Sequence, residues 1–78
     1  MNVDQIKTVH YSRPFQSLSL FLADGRAIEV RHRDFMSYSP SGRTAIVHHA
    51  DETFSLVDIR MVTEVRVHPA AAAQARTN

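Results

Sequence analysis

The chain of 78 residues contains no cysteine, no tryptophan, two glycines and three prolines. The lack of cysteine excludes disulfides, thiolate metal ligands and a cysteine nucleophile. Two glycines are too few for a glycine-rich phosphate-binding loop. No apolar run approaches the ~18 residues of a membrane-spanning helix, and the charged N-terminal segment lacks the apolar core of a signal peptide. These absences predict a cytoplasmic protein without cofactor, metal or membrane partner.

Size and charge restrict the function further. A chain this short buries only about 60% of its unfolded surface, so little interior is left for a substrate pocket and an enzyme is not expected. A net charge of +1 is too small to indicate a nucleic-acid partner by itself. We predict one domain over residues 1–69, followed by a frayed or disordered alanine-rich tail at 70–78.

The first segment has the pattern of a short helix. Asn2 and Gln5 have the spacing of a capping box, and Pro14 predicts that the helix ends by about residue 12. Val3, Ile6 and Val9 fall at helical spacing and form one narrow apolar stripe, which His10 can extend. A helix this short is marginal in water, so it is expected to dock on a sheet.

A β-hairpin follows the helix. Residues 16–22 alternate in polarity, with Leu18, Leu20 and Leu22 on one face. Asp24-Gly25 then predicts a two-residue type I′ turn, which makes Gly25 sensitive to substitution. A second turn at residues 39–42 has Gly42 at its fourth position, and the same reasoning makes Gly42 sensitive to substitution. Further strands are predicted at 34–39 and 43–49, on either side of this turn. A weaker turn at 49–52 leads into another strand, and a final strand through Val65 and Val67 follows a break at 58–61.

The order of these segments predicts a mainly β fold with one N-terminal helix. Closure protects the edges of a small sheet, so a strongly bent antiparallel sheet or an SH3-like barrel is the preferred architecture. An open β-meander plus a helix is the alternative.

Several short motifs carry a resemblance to known proteins. They are "MNVDQI" at the start, "RPF" at 13–15, "LADGR" at 22–26, "DF" at 34–35 and "SPSGRT" at 39–44. On these motifs residues 1–67 resemble a group of small bacterial proteins without assigned activity. The resemblance implies a shared fold and supplies no functional residues.

A looser likeness is carried by "LFLADGRAIEV", which looks like the first hairpin of the Sm-like RNA-binding proteins. That family also joins an N-terminal helix to a small SH3-like barrel. Where its members have their base-contacting loops, this chain reads "RDFMSYSPSG" and "LVDIRMV". The likeness therefore implies a fold and transfers no RNA-binding residue.

Five histidines invite a test for chemistry. His48 and His49 are adjacent in a predicted strand, so they point to opposite faces and do not converge on one metal ion. A metal site needs three or four converging ligands. We expect surface or rim histidines that confer some pH sensitivity, and no catalytic, cofactor-binding or metal-binding residue.

The candidate interaction surface combines one aromatic residue with four arginines. Phe21 lies on the face opposite the leucines, where either the helix stripe or a second copy of the chain covers it. The expected function is a non-enzymatic protein-interaction or self-association module, with a homodimer slightly favoured. RNA binding through an arginine-bearing strand face is the alternative. The residues of the candidate surface are Phe21, Arg26, Arg31, Arg33 and Arg43.

Overall fold

The structure is a computed structural model that describes residues 1–69. It contains one helix and six strands, and single 3-10 turns at Arg33–Phe35 and Ile59–Met61 interrupt the strands. The predicted mainly β fold with one N-terminal helix is confirmed. The elements are α1 (Val3–His10), β1 (Leu18–Leu22), β2 (Ala27–Val30), β3 (Met36–Tyr38), β4 (Thr44–His48), β5 (Phe54–Asp58) and β6 (Val62–Val67).

The strands form two antiparallel three-stranded sheets that do not close into a barrel. One sheet has the order β2-β1-β6 and the other has the order β3-β4-β5. The chain passes from one sheet to the other at the two 3-10 turns, and the strand ladder is interrupted at each passage. The preferred barrel is therefore wrong, and the open alternative of sheets plus a helix describes the chain. The final strand pairs with β1, so the order is not that of a simple meander.

The core lies between the helix and the inner faces of both sheets. Leu18, Leu20 and Leu22 are buried and alternate with half-buried residues, as their spacing predicts. Ile6 is fully buried and docks the helix on the sheets. The other buried apolar residues are Ile28, Val30, Met36, Ala45, Val47, Val57, Ile59 and Val62.

The capping box of α1 is present. The side-chain oxygen of Asn2 accepts the Gln5 backbone N–H at 2.9 Å, and the Gln5 side chain accepts the Asn2 N–H at 3.1 Å. The helix ends at His10, ahead of Pro14 as expected. Two orphan N–H groups of the first turn are thus satisfied.

The first hairpin turn differs from the predicted two-residue type I′ turn. Of Asp24 and Gly25, only Gly25 has positive φ, at +93°, whereas a type I′ turn needs positive φ at both. The Gly25 N–H donates to the Leu22 carbonyl and the Leu22 N–H to the Arg26 carbonyl, each at 2.9 Å. These bonds enclose a three-residue loop, in which Asp24 keeps ordinary backbone angles and its carboxylate accepts the Arg26 N–H.

The other predicted turns are present. Gly42 has φ +73° and its N–H donates to the Ser39 carbonyl at 2.9 Å, so glycine holds the left-handed fourth position. In the third turn the fourth residue is Glu52, also at φ +73°, and its N–H donates to the His49 carbonyl at 3.2 Å. Glu52 is the single non-glycine residue with positive φ among residues 1–69.

Two further predictions concern the end of the chain and the membrane. The expected alanine-rich tail at 70–78 lies outside the described residues. Within those residues, no helix has both the length and the apolar character needed to cross a bilayer.

Candidate interaction surface

The strand β5 forms one edge of the second sheet. Its only strand neighbour within residues 1–69 is β4, with Leu56 opposite Ile46 and Phe54 opposite His48. An edge strand presents a row of backbone N–H and C=O groups to whatever approaches it. The geometry of β5 therefore decides what this side of the molecule can bind.

The hydrogen-bond phase shows which residues of β5 point their backbone outward. The Ile59 N–H donates to the Arg43 carbonyl and the His49 N–H donates to the Thr53 carbonyl, each at 2.9 Å. In an antiparallel ladder the bonded pairs alternate with non-bonded pairs. The odd-numbered residues of β5 thus bond to β4, and the backbone groups of the even-numbered residues point away from the sheet. These outward residues are Phe54, Leu56 and Asp58.

Two of these three residues carry large exposed apolar side chains. Phe54 is 61% exposed and Leu56 is 68% exposed, while Val57 on the opposite face is buried in the core. Half-buried Ile46 lies beside Leu56 on β4. We call Ile46, Phe54 and Leu56 the β5 patch. It combines contiguous apolar side chains with an open strand edge.

The other edge strands are protected in ways that β5 is not. β3 has only three residues, and β2 has four and carries Glu29. β6 carries Glu64 and Arg66, which form an ion pair at 3.1 Å. Shortness and charge are common means of blunting an edge. β5 has five residues, and its single charge, Asp58, lies at its end.

Charges of opposite sign flank the two ends of β5. Asp51 and Glu52 lie in the turn before the strand, and the Thr53 hydroxyl lowers the pKa of the Asp51 carboxyl below its ordinary value. Arg60 follows the strand and binds Asp58 at 3.1 Å, which lowers the Asp58 pKa. Arg43 lines an open groove of about 380 Å³ together with Leu56, Asp58 and Arg60. The turn end is thus acidic and the far end is basic.

Phe21 belongs to the outer face of the first sheet, away from the β5 patch. It is half-buried, and the guanidinium carbon of Arg66 lies 4.8 Å from its ring centre. The helix residues Val3 and Val9 pack against the core instead. A cation–π contact from the neighbouring strand therefore covers Phe21, where the sequence predicts either the helix stripe or a second copy.

The four candidate arginines do not form a strand face. Arg26 and Arg31 flank β2, and each binds an acidic residue two positions earlier, at 2.8 and 3.1 Å. Arg33 lies in a 3-10 turn, and Arg43 precedes β4 in the other sheet. β2 ends at Val30 and the chain then turns, so Arg31 and Arg33 do not lie on a strand as the sequence predicts. RNA binding through these arginines stays a prediction.

One histidine contradicts the prediction of surface histidines. His10 is 1% exposed. Its Nε2 bonds to the Arg33 carbonyl and its Nδ1 to the Tyr38 hydroxyl, both at 2.8 Å. Because a carbonyl only accepts, Nε2 donates and Nδ1 accepts from Tyr38. Burial raises the pKa of Tyr38, so its phenol stays protonated and can donate this hydrogen bond. His10 thus ties α1 to the second sheet.

His48 and His49 border a groove of about 310 Å³ between the end of β2 and the third turn. His48 is exposed, with its ring 6.1 Å from that of Phe54, whereas His49 is half-buried and bonds to the Ser55 hydroxyl at 2.8 Å. No three metal-ligating side chains converge anywhere in residues 1–69. The groove therefore supplies polar groups beside the β5 patch without a metal centre.

No protein family model, curated protein or solved structure matches the chain. The resemblances to small bacterial proteins and to Sm-like proteins stay predictions. Sequence reasoning missed Phe54 and Leu56, although the segment "FSLVDI" carried a signal. Its apolar residues occupy both strand phases, and only one phase of an edge strand can face the core.

Proposed function

We propose that this chain is a non-enzymatic interaction module that binds a β-strand of a protein partner along the β5 edge. The observation that carries the proposal is the coincidence of outward backbone groups and exposed apolar side chains at Phe54 and Leu56. In strand addition, backbone hydrogen bonds supply affinity and alternate side chains supply specificity. Both elements are available at one edge of one sheet.

Rough magnitudes favour a weak and reversible contact. Full burial of a Leu or Phe side chain contributes about 1.5–3 kcal/mol, and Phe54 and Leu56 are already about one third buried. Each backbone hydrogen bond adds a net ~1 kcal/mol. Association costs roughly 4–15 kcal/mol in lost freedom and side-chain ordering, so only a partner that uses both the edge and the patch binds measurably.

Photo-crosslinking in intact cells tests the proposal. A photoreactive phenylalanine analogue at position 54 is expected to crosslink to one specific protein, which is either a different protein or a second copy of this chain. The same analogue at position 21 is the matched control, because Phe21 is also an aromatic strand residue but lies under Arg66 on the other sheet. Crosslinked peptides are mapped by mass spectrometry.

The substitution Leu56→Lys is expected to abolish the crosslink from position 54, since a lysine on an edge disfavours strand pairing. Circular dichroism checks that the variant is folded. A crosslinking pattern at position 54 that matches position 21, or that Leu56→Lys leaves unchanged, would refute the proposed edge.

A further inference from the structure

We infer that the strand added to β5 is β5 of a second copy, paired antiparallel about a two-fold axis at Leu56. This inference rests on the proposed function and names its partner. A two-fold interface is isologous, so the surface must be complementary to itself. Three properties of β5 meet that requirement.

The first property is the register of outward backbone groups. With Leu56 opposite Leu56 of the partner subunit, Phe54 lies opposite Asp58 of the partner subunit, and the reverse pair follows by symmetry. These are the residues whose N–H and C=O groups point away from β4. The central Leu56 pair can exchange two hydrogen bonds, and the Asp58 N–H of each copy can donate to the Phe54 carbonyl of the other, whereas the Asp58 carbonyl already accepts a bond in the 3-10 turn. The pairing therefore joins the two sheets into a continuous six-stranded sheet.

The second property is charge. Beyond the ends of the paired strands, the same two-fold arrangement brings the turn that holds Glu52 to the side of the 3-10 turn that holds Arg60 of the partner subunit, and this juxtaposition occurs twice. The acidic turn of each copy, with Asp51 and Glu52, thus meets the basic end of the other, with Arg60 and Arg43. A parallel arrangement would place the two acidic turns side by side, and like charges destabilise such contacts. Charge therefore selects the antiparallel arrangement.

The third property is the backbone strain at Glu52. A non-glycine residue at φ +73° is strained, and glycine would relieve that strain. Strained residues that persist often mark functional positions. A carboxylate facing the partner's Arg60 gives a reason for glutamate at this position, which glycine could not supply.

A charge exchange tests the arrangement. Sedimentation of the full chain across a dilution series is expected to show a monomer–dimer equilibrium. Glu52→Arg alone, or Arg60→Glu alone, creates two like-charge contacts per dimer and is expected to raise the dissociation constant by about tenfold. The control is Arg26→Glu, because Arg26 lies in the first sheet, away from β5.

Mixing the two variants supplies the decisive measurement. In a heterodimer of Glu52→Arg with Arg60→Glu, both ends again join opposite charges, so an equimolar mixture is expected to regain wild-type association. Neither variant regains it alone. Association that the single variants leave unchanged, or a mixture no tighter than its components, would overturn the inferred arrangement.

Hydrogen exchange on the wild type needs no variant and covers the case in which one fails to fold. Protection of the Leu56 amide is expected to rise with protein concentration. The Val57 amide, which points to β4, is the internal control and is expected to stay constant. A wild type that remains monomeric at high micromolar concentration refutes the second copy. If position 54 still crosslinks to another protein, the proposed edge survives that result; if it does not, both fail.

Discussion

Two hairpin turns of this chain share one geometry and differ in the residue that holds the left-handed position. In residues 22–26, "LADGR", and residues 49–53, "HADET", the first N–H donates to the carbonyl of the fifth residue and the fourth N–H donates to the carbonyl of the first. In both turns the third residue is aspartate, whose carboxylate accepts the N–H of the fifth residue at 3.1 Å. The fourth residue is left-handed in both, but it is Gly25 in one turn and Glu52 in the other.

The comparison shows that glycine does not define this turn. Both turns form the same backbone bonds and the same aspartate bond, with glycine at the fourth position in one and glutamate in the other. Glycine removes the cost of the left-handed angle, and that cost is tolerated at Glu52. The difference between the turns is therefore a difference in strain, which stability measurements can detect.

The largest effect is expected where a left-handed glycine also has a close neighbour. A Cβ at Gly42 would lie 3.1 Å from the Val3 Cγ1 atom of α1, whereas a Cβ at Gly25 meets nothing within 4 Å. Gly42→Ala is therefore expected to destabilise by about 2–3 kcal/mol and Gly25→Ala by about 1 kcal/mol. Urea unfolding of both variants measures the difference.

Sequence alone predicts that both glycines are sensitive, and the space around each one separates them. Gly42→Ala combined with Val3→Ala separates the two causes, because the smaller side chain removes the close contact. In the Val3→Ala background, Gly42→Ala is expected to cost less stability than it does in the wild type. Equal losses for Gly42→Ala and Gly25→Ala would mean that the helix yields without cost.

The next effect exchanges the residues that distinguish the two turns. Glu52→Gly is expected to stabilise the folded monomer by about 0.5–1 kcal/mol, because the relief of strain exceeds the added freedom of the unfolded chain. Gly25→Glu is expected to destabilise by a similar amount. Unfolding is followed at low micromolar concentration, where association contributes little.

Under the inferred dimer, Glu52→Gly also removes the carboxylate that faces the partner's Arg60. The same variant is thus expected to fold more stably and to associate more weakly. Glu52→Asp is the control that retains the charge and the left-handed angle. Loss of stability on Glu52→Gly would contradict the strain that distinguishes the turns.

Local patterns in the sequence were sufficient to predict the helix cap, the order of the strands and the left-handed Gly42, but not the end of β2 at Val30 or the start of β3 at Met36. They were not sufficient to predict whether the sheets close into a barrel. The 3-10 turns at Arg33–Phe35 and Ile59–Met61 decide where the chain changes sheet, and only the break near the second was expected. The turn at 22–26 was misjudged because Asp-Gly suits both a two-residue and a three-residue loop.

The candidate site was harder to predict, because exposure depends on tertiary neighbours. Phe21 has the alternation of an exposed aromatic, and Arg66 covers it from β6, which is remote in sequence. Phe54 and Leu56 are apolar like core residues, and they are exposed because they lie on the face of β5 opposite buried Val57. His10 lies at the end of the helix stripe, and the partners that bury it, Arg33 and Tyr38, are remote in sequence.

The smallest effect concerns the two aspartates that the turns share. The Arg26 backbone N–H and guanidinium lower the pKa of Asp24, and the Thr53 hydroxyl and backbone N–H lower that of Asp51, both from an ordinary value of 3.8. Because each folded pKa lies below the unfolded one, the folded chain binds fewer protons. The stability that each aspartate contributes is present above its unfolded pKa and is lost as the pH falls through its folded pKa.

The free energy of unfolding of the wild type is therefore expected to fall as the pH falls from about 5 to about 2. Asp24→Asn or Asp51→Asn is expected to make that dependence slightly less steep. Carboxyl NMR titrations measure each pKa directly.

High salt distinguishes the turns, because it screens the Arg26 charge beside Asp24 but leaves the bonds from neutral Thr53 to Asp51. The Asp24 pKa should then rise more than the Asp51 pKa. Equal rises would show that Arg26 and Thr53 hold the two carboxylates by the same means.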